Sequence, residues 1–343
     1  MDLKSMTLQE MQEYMESIGE KKFRAKQIYE WFHKHLALSL DEMNIVPKKL
    51  KEKIEQTQEI YGVKPVDCFI SKIDGTRKYL FELYDGNIIE SVLMKYKHGN
   101  SVCISSQAGC RMGCKFCAST LGGLDRNLTP SEMLSQIYYI QRDTEERVSN
   151  VVMMGTGEPM DNYDNVLRFL ELITSEDGLN ISQRNITIST CGIVPKIKEL
   201  AQKHLQITLA ISLHSPNDEM RRGLMPIAMK YSIDELLDAC HYYFKETNRR
   251  MTFEYSLVAG VNDQPVHAEE LAGRLKGFPC HVNLIPVNPI KERDFKQSMP
   301  KSVMEFKKIL EKNRVNVTIR REMGADINAA CGQLRRKKLQ SRL

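Results

Sequence analysis

The 343-residue sequence has no stretch of the ~18 consecutive apolar residues that a membrane helix needs. Its opening segment, MDLKSMTLQEMQEY, lacks the apolar core of a signal peptide. Both absences point to a cytoplasmic protein with no membrane partner. There is no internal repeat and no low-complexity segment, which argues against a solenoid or array. Excess charge is scarce as well: the net charge of +5 does not by itself mark a nucleic-acid binder. Hydrophobic residues make up 42% and charged residues 27%, the mix of an ordinary folded chain, and the length allows one large core plus a smaller domain. What is plentiful is cysteine. Nine in a chain this long, an odd number with no export signal, do not read as a secreted disulfide scaffold. In a reducing compartment, clustered cysteines serve metal binding or catalysis.

Along the chain, Leu8, Met11, Met15 and Ile18 recur at helical spacing. Phe23, Ile28, Tyr29, Trp31 and Phe32 give a second apolar stripe among Lys21, Lys22, Arg24 and Lys26. Between Ile70 and Met94 the period changes to that of strands, with Asp85-Gly86 as a turn. Residues 1–95 therefore read as a small α+β domain, helical with a β-hairpin. Beyond it, strand-like runs begin near Ser101, Asn150, Asn185, Ile207, Met251 and His281, with a last one from Asn316. Amphipathic helical patterns fill the gaps. Two open with capping boxes, Thr129-Pro130-Ser131-Glu132 and Ser232-Ile233-Asp234-Glu235. This alternation predicts an α/β fold, a partial (β/α)6 barrel over residues 96–334, with its chemistry at the C-terminal strand ends. Residues 335–343, RRKKLQSRL, form a basic tail that is expected to be mobile.

The segment GCRMGCKFCAST places Cys110, Cys114 and Cys117 in a C-x3-C-x2-C run directly after the first barrel strand. Thiolates are the ligands of iron–sulfur clusters. A structural zinc site is the alternative, but zinc usually takes paired C-x2-C knuckles and no second pair exists here. Cys103 or Cys191 would have to be the fourth ligand. With Phe116 before the last cysteine, the run resembles the signature of the radical S-adenosylmethionine (SAM) superfamily. That resemblance implies a [4Fe–4S] cluster on the three cysteines. Its fourth iron is chelated by SAM, which is cleaved to a 5′-deoxyadenosyl radical. The superfamily also expects a glycine-rich loop after the second strand. Here it is Met154-Gly155-Thr156-Gly157-Glu158-Pro159, where glycines let the backbone approach SAM and Glu158 can accept a hydrogen bond.

Cys240 shares an apolar helical face with Leu236, Leu237 and Phe244, so it reads as a small buried hydrophobe. Cys68, Cys191 and Cys280 are read the same way. Cys103 and Cys331 differ in their surroundings. The segments CISSQAGCRMGCKFC, GTGEP, SLHSPND, NLIPVNP and DINAACGQL occur in order, and together they resemble the RlmN/Cfr family of RNA adenine methyltransferases. The likeness covers nearly the whole chain.

What this resemblance implies is specific. Two SAM molecules are used per turnover. One methylates Cys331. The other yields the radical that takes a hydrogen from that methyl group, and the resulting methylene adds to adenine. Cys103 releases the product by forming a transient disulfide with Cys331, and Glu90 is the proton acceptor. The SAM contacts are Gly157, Glu158, Ser189, Ser212, Leu213, His214 and Asn288. The substrates are adenosine 2503 of 23S rRNA and adenosine 37 of tRNAs. An electron donor such as flavodoxin or ferredoxin feeds the cluster, and the enzyme is a monomer. Pro159 in GTGEP and Ala108 in QAGC favour methylation at carbon 2 over the Cfr-type reaction at carbon 8. The family loop more often reads GMGEP; Thr156 is expected to matter little, because the backbone makes the contacts. Residues 1–95 become a candidate RNA-binding domain. Lys21, Lys22, Arg24, Lys26, Arg320 and Arg321 are candidate phosphate contacts, and the adenine is expected to be flipped out. A zinc-stabilised RNA-binding module without catalysis and a radical enzyme acting on a small molecule or protein are the other readings.

Overall fold

The computed structural model describes residues 2–334 and 337–338. Three helices open the chain: α1 (Leu8–Ser17), α2 (Lys22–His33) and α3 (Lys48–Glu55). Thr7 caps α1 in a reciprocal box with Glu10. The faces carrying Met11 and Met15, and Ile28, Tyr29 and Phe32, are buried. Strands β1 (Lys64–Ile70), β2 (Arg77–Glu82) and β3 (Asn87–Tyr96) follow as an antiparallel meander. The β2–β3 turn is set by Asp85, whose carboxylate accepts from the Asn87 N–H at 3.1 Å, and by Gly86 at φ +77°.

β4 (Gly99–Cys103) pairs antiparallel with β3 and starts the barrel. The ribbon β5 (Gln107–Gly109) and β6 (Leu124–Asn127) brackets the cysteine run. Then come α4 (Pro130–Thr144), β7 (Val148–Met153), α5 (Tyr163–Thr174), β8 (Ile186–Thr190), α6 (Val194–Ala201) and β9 (Thr208–Ser212). Next are α7 (Asp218–Leu224), α8 (Ile233–Thr247), β10 (Met251–Leu257), α9 (Pro265–Arg274), β11 (Cys280–Pro286), α10 (Pro300–Lys312) and β12 (Asn316–Ile319). Both predicted capping boxes form, on α4 and α8. From β4 to β12 the sheet strands pair parallel and in chain order, each step crossing over through helix, so the alternation in the sequence becomes a partial barrel closed by a last strand.

The pleat sorts the side chains. On β10, Phe253 and Tyr255 are in the apolar core while Glu254 and Ser256 line the barrel cavity; Ile188 and Ser189, and Ile211 and Ser212, divide in the same way. The helical segment and the barrel share one apolar core, and the sheet runs unbroken from β1 to β12. The units expected at 1–95 and 96–334 are thus joined through the β3–β4 pairing. In the tail, Lys337–Lys338 form a short strand β13 on β3, opposite Ile88 and Asn87. Those two residues are therefore held in the sheet rather than free; the rest of the expected mobile tail lies outside the described residues.

Candidate active site

The cysteine run sits in a loop pinned from several directions. The Cys110 N–H donates to Gly123 O at 2.9 Å, Lys115 N–H to Leu224 O at 2.9 Å and Ala118 N–H to Gly332 O at 2.8 Å. The Thr120 hydroxyl donates to the carbonyls of Cys114 and Cys117. Gly113 is at φ +72°, and a Cβ there would lie 3.2 Å from Pro226, so the loop packs closely on the segment after α7. Cys110, Cys114 and Cys117 line one cavity, with about 920 Å³ of atom-free space including its mouth. Burial pushes the Cys110 thiol up to about 12 and raises the other two as well.

Among the described residues, no three His, Cys, Asp or Glu side chains converge on a point that a single ion could occupy. The three thiols that line this cavity are the number a cubane takes from such a run, because each cysteine binds a different iron. The donor set fits a [4Fe–4S] cluster.

The glycine-rich loop lines the same cavity. Its backbone is splinted to residues 104–107. Gly155 N–H donates to Ile104 O at 3.1 Å, and Thr156 O accepts from Ser106 and Gln107 at 2.9 and 3.1 Å. A Cβ on Gly155 would lie 2.6 Å from Ile104 O, and one on Gly157, at φ +115°, would lie 2.7 Å from Gln107 Cβ. No side chain fits at either position, so both glycines are steric requirements. Thr156 is buried and is not part of the cavity wall. Glu158 accepts from the Met160 N–H at 3.0 Å and the Cys191 N–H at 2.7 Å, which fixes its carboxylate at the wall; burial raises its pKa against these donors.

Ser189, Ser212, His214 and Asn288 also line this cavity. His214 has φ +56°. Its Nδ1 accepts from the Ser256 N–H at 2.8 Å, and its ring meets Phe116 edge-on at 4.7 Å. Burial, followed by the charge of Arg221, pushes its pKa down to about 3. The imidazole is therefore neutral, with its proton on Nε2. Leu213 departs from the expected set: its side chain is in the apolar core, and only its backbone, which donates to Glu254 O at 3.1 Å, approaches the site.

A second cavity adjoins the first and contains Cys103. Met154, Ile285, Asn288, Arg320 and Cys331 belong to both walls. Cys331 and Cys103, 228 positions apart in sequence, thus face one space. Burial pushes the Cys103 thiol up to about 12; the neighbouring Cys331 adds to the rise and Arg320 opposes it. Glu90 is not in either wall. It is buried on β3, 3.7 Å from Lys78 Nζ, and lines a separate cavity with Asn328 and Gln333 of the loop that carries Cys331.

Several residues at the site carry no local sequence signal. Arg320, expected at phosphates, lies between the two cavities, with Nη1 3.5 Å from Glu254 Oε2 and 3.2 Å from Met154 Sδ. Glu254, held also by Asn283 at 2.9 Å, was not anticipated. Cys191 is buried as expected but lies in the cavity wall beside Glu158, whereas Cys68, expected to be buried, is exposed on β1. β1 is an edge strand without an inward face, which explains the difference. Of the other basic candidates, Lys22 is paired with Glu16, Arg24 stacks on its neighbour Phe23, and Lys21, Lys26 and Arg321 are exposed.

Comparison with known proteins agrees with this geometry. Residues 104–272 match the model of the radical SAM superfamily, and residues 1–60 match that of the ribosomal RNA large subunit methyltransferase N-terminal domain. A probable dual-specificity RNA methyltransferase RlmN from Lachnospira eligens is 63% identical over 98% of this chain and 96% of its own length. The chain belongs to the RlmN family of radical SAM methyltransferases. The corresponding RlmN from Lachnoclostridium phytofermentans is 62% identical over 98% of this chain and 94% of its own length. The crystal structure of a radical SAM methyltransferase from Sphaerobacter thermophilus superposes with a TM-score of 0.94 at 43% identity, covering 97% of this chain and 99% of that one. Among the described residues, no helix is long and apolar enough to cross a membrane.

Proposed function

We propose that this RlmN-family enzyme methylates carbon 2 of a flipped-out RNA adenine, with Cys331 as the methyl carrier. The substrates in this reading are adenosine 2503 of 23S rRNA and adenosine 37 of tRNAs. The observation that carries it is the position of Cys331 in the wall shared by the cavity of the three clustered cysteines and the cavity of Cys103.

Cys110, Cys114 and Cys117 would hold a [4Fe–4S] cluster, which with SAM bound would supply one electron and the hydrogen-abstracting radical chemistry. The rest belongs to the chain. Gly155 and Gly157 keep one wall free of side chains where SAM would lie, and Glu158, Ser189, Ser212, neutral His214 and Asn288 offer it polar contacts. Cys331 loses its proton, and its thiolate displaces the methyl group from the sulfonium of a first SAM, with S-adenosylhomocysteine leaving. Loss of one hydrogen atom leaves a sulfur-bound methylene radical, which adds to the electrophilic carbon 2. The adduct gives up one electron, for which the oxidised cluster would be the acceptor, and the carbon 2 proton passes to a base, proposed to be Glu90. Cys103, deprotonated, then attacks the Cys331 sulfur. The carbon–sulfur bond breaks, the released carbon takes up a proton to become the methyl group, and a Cys103–Cys331 disulfide forms. Two electrons and two protons from a cellular reductant restore both thiols.

Mass spectrometry of 23S rRNA and tRNA from cells with and without the gene tests the assignment. Loss of 2-methyladenosine from the deletion strain is expected. Unchanged 2-methyladenosine refutes it, and loss of 8-methyladenosine instead identifies the Cfr-type reaction.

A further inference from the structure

Arg221, on α7, is the largest fully buried side chain among the described residues. Its Nε donates to Leu213 O at 3.2 Å, and its Nη2 to Cys191 O at 2.7 Å and Ser212 O at 3.3 Å. Its Nη1 has no hydrogen-bond partner among the described residues. Arg221 forms no ion pair among the described residues; Asp218, on the same helix, favours its charge electrostatically, but the Asp218 carboxylate accepts from the Ile233 N–H. Guanidinium does not shed its proton in proteins, and a charge this deep is normally paired. A tie between three carbonyls needs donors, but it does not need a permanent charge.

The surroundings indicate what the charge faces. A Cβ on Gly192, next to Cys191, would lie 3.3 Å from Nη2. Cys114, Cys191, Leu224 and Met225 form a small apolar cluster here, and all but Leu224 also line the cavity of the clustered cysteines. Arg221 and Cys114 are both buried, so their electrostatic interaction is screened far less than at a surface. Three thiolates make the proposed cluster anionic, and one-electron reduction makes it more so.

We propose that Arg221 is the fixed countercharge of the iron–sulfur cluster and raises its reduction potential. It is a positioning and tuning residue, set behind the cavity wall. The inference rests on the cluster assignment made above. It also supplies an anionic partner for a buried guanidinium that forms no ion pair among the described residues.

The test is an EPR-monitored redox titration of the full-length protein, reconstituted anaerobically, without SAM or RNA, for wild type, Arg221→Lys and Arg221→Gln, each with its iron content. At a fixed potential the ratio of reduced to oxidised cluster is expected to fall about tenfold in Arg221→Gln, equivalent to ~59 mV for a one-electron couple. In Arg221→Lys, which keeps the charge but not the three-carbonyl geometry, it should stay within about threefold of wild type, a factor well below that tenfold criterion. An unchanged ratio in Arg221→Gln, or equal falls in both variants, overturns the proposal. If Arg221→Gln loses its iron, Arg221→Lys decides: retention of iron and potential supports the countercharge, and loss in both leaves Arg221 a structural tie. A wild-type protein that takes up no cluster refutes the site assignment instead.

Discussion

The Asn288 side-chain amide donates to the Cys331 carbonyl at 3.0 Å, tying the loop of the proposed methyl carrier to the end of β11. The other side of that loop is held by the Ala118 N–H on Gly332 O and the Ser119 hydroxyl on Leu334 O, both just beyond the cysteine run. The position of Cys331 is therefore set jointly by the cluster loop and the barrel. Asn288→Ala removes one of these restraints, a loss of ~1 kcal/mol. Single-turnover RNA methylation is expected to fall about fivefold with iron content unchanged. Loss of iron would mean that Asn288 supports the cluster loop instead.

Glycine substitutions separate steric need from mere tolerance. Gly157→Ala puts a Cβ 2.7 Å from Gln107 Cβ at φ +115°, and thermal unfolding should show a loss of roughly 1–3 kcal/mol together with SAM binding weakened beyond detection. Gly223, in α7, has open space around its Cβ position and a φ outside the left-handed region. Gly223→Ala should raise stability by up to ~1 kcal/mol. Equal effects of the two would contradict the steric account.

Two buried histidines make stability depend on pH. Burial holds His33, whose Nδ1 is 2.7 Å from the Tyr138 hydroxyl, and His214 each at about 3, against an ordinary value of 6.5. Between these values the unfolded chain binds protons that the folded chain refuses. Each histidine's contribution is therefore complete above about pH 6.5 and declines as the pH falls, by ~1.4 kcal/mol per pH unit. Urea unfolding between pH ~7 and ~5 should show this slope, and His33→Asn should flatten it by about one histidine's share. A variant with the wild-type slope would show that His33 is not buried neutral.

Cys103→Ser tests the proposed release step. Cys331 should still become methylated, and the RNA should accumulate covalently attached to the protein, visible on a denaturing gel. Free methylated RNA at the wild-type rate would remove Cys103 from the reaction.

The sequence made some parts of this molecule readable and hid others, for physical reasons. Local chemistry was legible. The Thr129 and Ser232 capping boxes, the Asp85-Gly86 turn and the C-x3-C-x2-C run all act over a few residues and appear where expected. So did the alternation of strand and helix, because parallel strands covered on both faces read as apolar runs. Arg320 illustrates what was hidden. Its position after a terminal strand suggested solvent and phosphate, yet its partner Glu254 is 66 residues away, and only the barrel brings the two together. The same holds for Cys191, whose backbone meets Glu158 across neighbouring strand ends. β1 was not among the expected strands: Val66, Cys68 and Ile70 alternate along it, but all seven of its residues are exposed at the sheet edge, so that apolar face is not core.

The central claim is that the methyl group travels through Cys331. Peptide mass spectrometry of enzyme incubated anaerobically with methyl-labelled SAM and a reductant, without RNA, measures this directly. The account predicts the label on Cys331 in wild type. It also predicts that Cys331→Ala keeps its cluster but transfers nothing to RNA. Labelled RNA from an enzyme whose Cys331 is never modified, or from Cys331→Ala, would contradict it.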